Sequence, residues 1–129
     1  MTALRRVWLV GVVSVAIAVV VPNAGGQVHR FPAHLLVYAQ EWSIWPSRGS
    51  LPAGEVSVEL QNRGQDAHDL RVQRLGHGGA LVGATQGVAV TASGGLSQAS
   101  WRLGPGRYLL FCSLPGHRAR GMRTVLVVR

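Results

Sequence analysis

Three side chains with metal affinity recur at an even spacing near the end of this 129-residue sequence: Cys112, His117 and Met122. In Cys112-Ser-Leu-Pro-Gly-His117-Arg-Ala-Arg-Gly-Met122 a thiolate, an imidazole and a thioether recur with four residues between each and the next. Pro115, Gly116 and Gly121 make the intervening chain a tight loop, and such a loop can converge three soft or borderline donors on one point. Softness suits copper: thiolate and thioether favour Cu(I), and imidazole accepts both oxidation states. A fourth donor must come from elsewhere. His68, in Gln65-Asp-Ala-His68-Asp69 where a loop enters a strand, is well placed to supply it. Taken singly, Cys112 reads as a small buried hydrophobe, Met122 as core filler and His68 as a strand-edge histidine. Their conjunction in this order favours a copper site.

Such donors need a rigid frame, and the rest of the chain reads as strands. Glu55 to Gln61 alternates cleanly, with Val56, Val58 and Leu60 on one face and Ser57, Glu59 and Gln61 on the other. Asp69 to Leu75 alternates through Leu70 and Val72, and Leu96 to Leu103 through Trp101. Leu35 to Trp42 is strand-like, and Gly83 to Thr91 is a weaker β-branched stretch. Tyr108 to Cys112 and Thr124 to Val128 are apolar and β-rich, which predicts strands covered on both faces. Turn signals separate the runs at Leu51 to Gly54, Asn62 to Gly64, Gly76 to Gly79, Gly94-Gly95 and Gly104 to Gly106. Short strands at this spacing predict an all-β fold, an antiparallel Greek-key sandwich.

Gly106-Arg-Tyr108-Leu-Leu-Phe-Cys112-Ser-Leu-Pro-Gly-His117, followed by Met122, resembles the type 1 copper motif of the cupredoxins, the plastocyanin and azurin family. Asn62-Arg-Gly64 with Asp66-Ala-His68-Asp69 resembles the same family's upstream histidine segment, so the likeness runs from about Leu35 to Arg129. The loop spacing is more similar to auracyanins, sulfocyanins and rusticyanins than to plastocyanins. The resemblance implies one type 1 copper ion with His68, Cys112 and His117 as equatorial ligands and Met122 as a weak axial one. It also implies electron transfer, since trigonal His₂Cys with a long axial thioether is blue-copper geometry. Asp69 departs from the family, which often carries Asn beside the upstream His. That puts in question the usual hydrogen bond from this position to the residue after Cys, here Ser113.

The single Cys excludes an intramolecular disulfide, zinc ribbons, iron–sulfur clusters and two-Cys copper centres. The formal charge of +8 comes from Arg residues scattered from Arg5 to Arg129 without a nucleic-acid motif, so no nucleic-acid partner is expected. Residues 1–26 carry a charged Arg5-Arg6 pair, an apolar run from Val7 to Val21 and the small residues Ala24 to Gly26. This is a signal-peptide pattern, or that of an N-terminal membrane anchor, which leaves residues 27–129 as a single copper-binding domain working outside the cytoplasm. Leu4 to Leu9 also resembles a twin-arginine export signal.

Four protein ligands leave a copper ion no open position, and no His-x-His pair exists to build further copper centres, so an enzyme is not expected. Storage or delivery of copper is the alternative to electron transfer, weakened by the lack of a Met-rich surface. His117, framed by Leu114 and Pro115, is expected to present the electron gate to transient redox partners of a monomeric carrier. Arg118, Arg120 and Arg123 around the same loop would steer an acidic partner.

Overall fold

Period-two burial is what builds the two layers of the molecule. In the computed structural model, which describes residues 31–129, Leu35, Val37 and Ala39 of β1 (Ala33–Gln40) and Val56, Val58 and Leu60 of β4 (Gly54–Asn62) are wholly buried. Their intervening neighbours face outward, as the alternation demands. Seven further strands complete the fold: β2 (Ser43–Pro46), β3 (Ser50–Leu51), β5 (His68–Leu75), β6 (Leu81–Thr91), β7 (Leu96–Leu103), β8 (Gly106–Phe111) and β9 (Arg123–Val128). A single 3-10 turn at His77–Gly79 joins β5 to β6. The export segment expected over residues 1–26, and its boundary at residue 27, lie outside the described residues.

The strands form a four-stranded sheet in the order β2-β1-β4-β7 and a five-stranded sheet in the order β3-β9-β8-β5-β6. Trp101, Leu103, Leu110, Leu126 and Met122 fill the space between them together with the inward faces of β1 and β4. The expected sandwich is therefore present, but its sheets are mixed: β1 pairs with β4 and β3 with β9 in parallel, while the other pairings are antiparallel. The expectation that β8 and β9 are covered on both faces is corrected. Val125 is 37% exposed and Leu109 and Val127 are only partly buried, because among the described residues no third layer packs outside the five-stranded sheet.

Three features of this topology meet at one end of the sandwich. β5 begins there at His68, and β8, its antiparallel neighbour through Arg71 and Phe111, ends there just before Cys112. β1 ends there too, because its parallel register sets Ala39 opposite Asn62 and brings Arg63 N–H to the Ala39 carbonyl at 2.8 Å. The chain following β1 is thereby held beside the loop that precedes His68.

Candidate metal centre

The loop between β8 and β9 is closed by its own backbone. Cys112 N–H donates to the Met122 carbonyl at 3.1 Å, one rung beyond the Phe111–Arg123 pair, and Met122 N–H donates to the His117 carbonyl at 3.2 Å. Gly116 turns the chain at φ +79°, a region that strains any residue with a Cβ. Gly121, at φ +125°, passes so close to Trp42 that a Cβ would lie 2.9 Å from its carbonyl oxygen. Sequence order alone could not show that contact, which docks the loop on the segment after β1.

His68 reaches the site through an irregularity in β5. Alternation would bury every second residue, yet His68, Asp69 and Leu70 are all buried in succession. The register against β6 slips between His68 and Leu70, and such a bulge re-aims side chains at a strand end. Asn62 organises the approach: its amide donates to the Asp66 carbonyl at 2.8 Å and the Thr91 carbonyl at 2.9 Å, and its Oδ1 accepts from Gly64 N–H at 2.9 Å. A buried amide with all these bonds satisfied rigidifies the loop from residue 63 to 67.

The outcome is a cluster. One donor atom each from His68, Cys112 and His117 lies within 4.8 Å of the other two. His68 Nδ1 and His117 Nδ1 are 3.2 Å apart, and Cys112 Sγ is 3.5 Å from His117 Nδ1. His68 and Cys112 are fully buried, whereas His117 is partly exposed. The Trp42 ring stands edge-on to His117, with centroids 5.1 Å apart and planes at 84°. Met122 is fully buried beside this group, tied by its backbone to Cys112 and His117 as described. His34 and His77 lie elsewhere, His34 half-exposed against Glu59 and His77 in the exposed 3-10 turn. His29 is outside the described residues.

The two carboxylates nearest the cluster differ from their sequence-based expectations. Asp69 keeps the hydrogen bond that was in question, and adds to it: Oδ1 accepts from Ser113 N–H at 2.6 Å and Oδ2 from the Ser113 hydroxyl and from Arg71 Nε at 2.8 Å. Burial alone would push the Asp69 carboxyl up, but these donors outweigh it and hold it below the usual carboxylate range. Burial foremost, with the Asp69 charge adding to it, pushes the Cys112 thiol up. Glu41, read from sequence only as part of a strand-like run, falls in the turn after β1 and bonds His68 Nε2 at 2.9 Å. Trp42 was equally unremarked. An acid following an alternating apolar strand is a weak signal, and the contact depends on a parallel pairing that no local pattern reveals.

The residues fit a copper ion. Two imidazole nitrogens and one cysteine sulfur converge from β5 and from the loop after β8. Their N···N separation of 3.2 Å is one that a single ion with bonds of about 2 Å to each can span. Thiolate with imidazole, and a thioether close by, is the soft donor set that copper favours.

No family model and no curated protein sequence matches the chain. Solved structures do. Auracyanin A, a "blue" copper protein from the green thermophilic photosynthetic bacterium Chloroflexus aurantiacus, aligns with a TM-score of 0.61 and 17% identity over 77% of this chain and 100% of that one. Rusticyanin from Thiobacillus ferrooxidans aligns with a TM-score of 0.59 and 19% identity over 74% of this chain and 76% of that one. The chain has the cupredoxin fold. A copper-containing nitrite reductase from Thermus scotoductus also contains it, at a TM-score of 0.54 and 16% identity over 78% of this chain but 32% of the enzyme. On this fold the cluster of His68, Cys112 and His117, with Met122 nearby, fits one type 1 copper ion.

Proposed function

We propose that the protein is a mononuclear blue copper electron carrier, with His68, Cys112 and His117 as equatorial ligands and Met122 as the weak axial one. When bound, the ion would supply one-electron chemistry by alternating between Cu(I) and Cu(II). The observation that carries this reading is the convergence of one donor atom each from His68, Cys112 and His117 within 4.8 Å of one another, on a frame built from three separate strand ends. Such a frame holds its donors in one arrangement, so little movement accompanies a change of charge at the centre.

His117 is the ligand nearest solvent, and its surroundings suit brief docking. Phe111, Leu114 and Pro115 help to line a shallow pocket of about 300 Å³ at the loop. Arg118 lies over the Phe111 ring at 5.2 Å and Arg120 over the Trp42 ring at 4.3 Å, both on exposed side chains. Stacked guanidinium groups beside the pocket support an acidic redox partner, steered at long range and released quickly. The export pattern of residues 1–26 supports work outside the cytoplasm. The ligand count supports a carrier rather than an enzyme, since four protein donors leave a substrate nowhere to bind.

Adding Cu(II) to the purified protein and recording visible and electron paramagnetic resonance spectra tests the reading. An intense thiolate-to-copper band that bleaches on reduction and is lost in Cys112→Ser is the expected result. A folded wild-type protein without that band refutes the site. A protein that hands its ion to an acceptor instead of exchanging electrons with redox partners would be a copper-delivery protein.

A further inference from the structure

Glu41 closes the side of His68 that faces away from the cluster. Its Oε1 lies 2.9 Å from His68 Nε2, while Nδ1 of the same ring points at His117. The carboxylate is itself held in place: Oε1 accepts from Asp66 N–H at 2.7 Å and Oε2 from Gln65 N–H at 3.1 Å. Gly64 provides the room, because a Cβ there would overlap both carboxylate oxygens. Glycine at this buried position is thus a requirement of the Glu41 side chain rather than of the turn.

We propose that Glu41 is a positioning residue for the copper centre, which fixes the His68 tautomer and places a negative charge one ring away from the ion. The inference rests on the copper reading above. An ionised carboxylate can only accept, and a neutral imidazole carries one N–H. The contact therefore assigns the proton to Nε2 and leaves the Nδ1 lone pair aimed into the cluster. Metal-bound histidines generally need such an outer partner to hold ring and tautomer. A backbone carbonyl would do that much without charge. Glu41 adds a negative charge at a fixed place, because the N–H groups of Asp66 and Gln65 both hold its carboxylate against the ring. A fixed negative charge stabilises Cu(II) more than Cu(I) and so lowers the reduction potential.

The test compares Glu41→Gln, Glu41→Ala and Gly64→Ala in the full chain. Three readouts are needed: the ¹⁵N shifts of the His68 ring in metal-free protein, the Cu(II) and Cu(I) affinities, and the reduction potential. Glu41→Gln keeps an acceptor and should keep the tautomer, yet lose about tenfold in Cu(II) affinity relative to Cu(I). That ratio corresponds to a potential higher by about 59 mV for one electron. Glu41→Ala should mix the tautomers and weaken Cu(II) binding by up to about 100-fold. Gly64→Ala leaves Glu41 in the chain but displaces its carboxylate, and should reproduce the mixed tautomers. Wild-type tautomer and potential in both alanine variants overturn the proposal, as does an unshifted potential in Glu41→Gln. Those results leave the wild-type blue band intact, whereas failure of the copper reading removes the band itself. The ring shifts of metal-free protein then still decide whether Glu41 sets the tautomer.

Discussion

Asp69→Ala should loosen the Cys112 loop by a measurable amount. The carboxylate is 1% exposed and takes three donors, two from Ser113 and one from Arg71. Hydrogen bonds to a charged group contribute about 1.5–3 kcal/mol each. The Arg71 side chain is 37% exposed and recovers water when its partner goes, so that pair contributes only about 0–1 kcal/mol. The Ser113 backbone N–H is left without its partner beside Cys112, while the hydroxyl of this exposed residue can turn to water. The net cost is then about 2–3 kcal/mol, less than the sum of the bonds because the buried charge is also relieved. For a domain of this size it should lower Tm by about 10–20 °C. Asp69→Asn keeps an acceptor for Ser113 N–H but turns an amide donor toward Arg71, and should cost about 1 kcal/mol. Thermal and urea unfolding of metal-free protein should rank wild type above Asn above Ala. In copper-loaded protein both variants should have a raised potential, since a negative charge next to the thiolate is gone. An alanine variant within about 0.5 kcal/mol of wild type, the range of an ordinary surface substitution, would refute the claim that this carboxylate holds the loop.

Other expectations follow from the same geometry. Asn62→Ala removes three hydrogen bonds, two of them buried, and should cost about 2–4 kcal/mol, with weaker copper binding because the loop before His68 loosens; a urea midpoint and a copper titration check both. Gly121→Ala puts a side chain at φ +125° against Trp42 and should cost about 1–3 kcal/mol in unfolding free energy. Because burial pushes the Cys112 thiol up, the metal-free protein holds it protonated at neutral pH. Copper uptake must expel that proton, so Cu(II) affinity should rise about tenfold per pH unit below the thiol pKa. Calorimetry in buffers of different ionisation enthalpy measures the release, and Cys112→Ser should abolish it. Arg118→Ala/Arg120→Ala should slow association with an acidic partner and flatten its salt dependence, with the potential little changed; stopped-flow kinetics at several ionic strengths decide the matter.

How much of this was legible from the chain depends on the range of the interaction involved. Strands β4, β5 and β7 announce themselves because one face is buried and the other wet, and alternation is a local property. The short β2 and β3 carry too few residues to show a period, and β2 includes Trp45, 61% exposed, where alternation predicts nothing. That Cys112 and His117 can share a cluster was legible because one loop fixes their spacing within a few residues of sequence. His68 could be put forward from its place where a loop enters a strand, and the likeness of its flanking residues to a known segment supported that choice. Glu41 was not readable at all: its partner is 27 residues away, and they meet only because β1 lies parallel to β4 in a particular register. Parallel pairings join distant segments without a hairpin to mark them.

The charges around the centre divide by depth, and depth decides what each can influence. Asp69 is buried, and the Glu41 side chain is 23% exposed and fixed by two backbone N–H groups. Fields from such groups cross little water and are weakly screened, so they act on the equilibrium between the two oxidation states. Arg118 and Arg120 are exposed side chains lying over the Phe111 and Trp42 rings, where ions of the solvent gather around them. Their fields are screened within about 8–10 Å in physiological salt, so at the ion they oppose the carboxylates weakly. A partner docking over His117, as proposed above, would come inside that range and meet the arginines little screened. Opposite charges thus share one end of the sandwich without cancelling: on the proposed function the acids would set how readily an electron is held, and the arginines how fast an acidic partner arrives to exchange it.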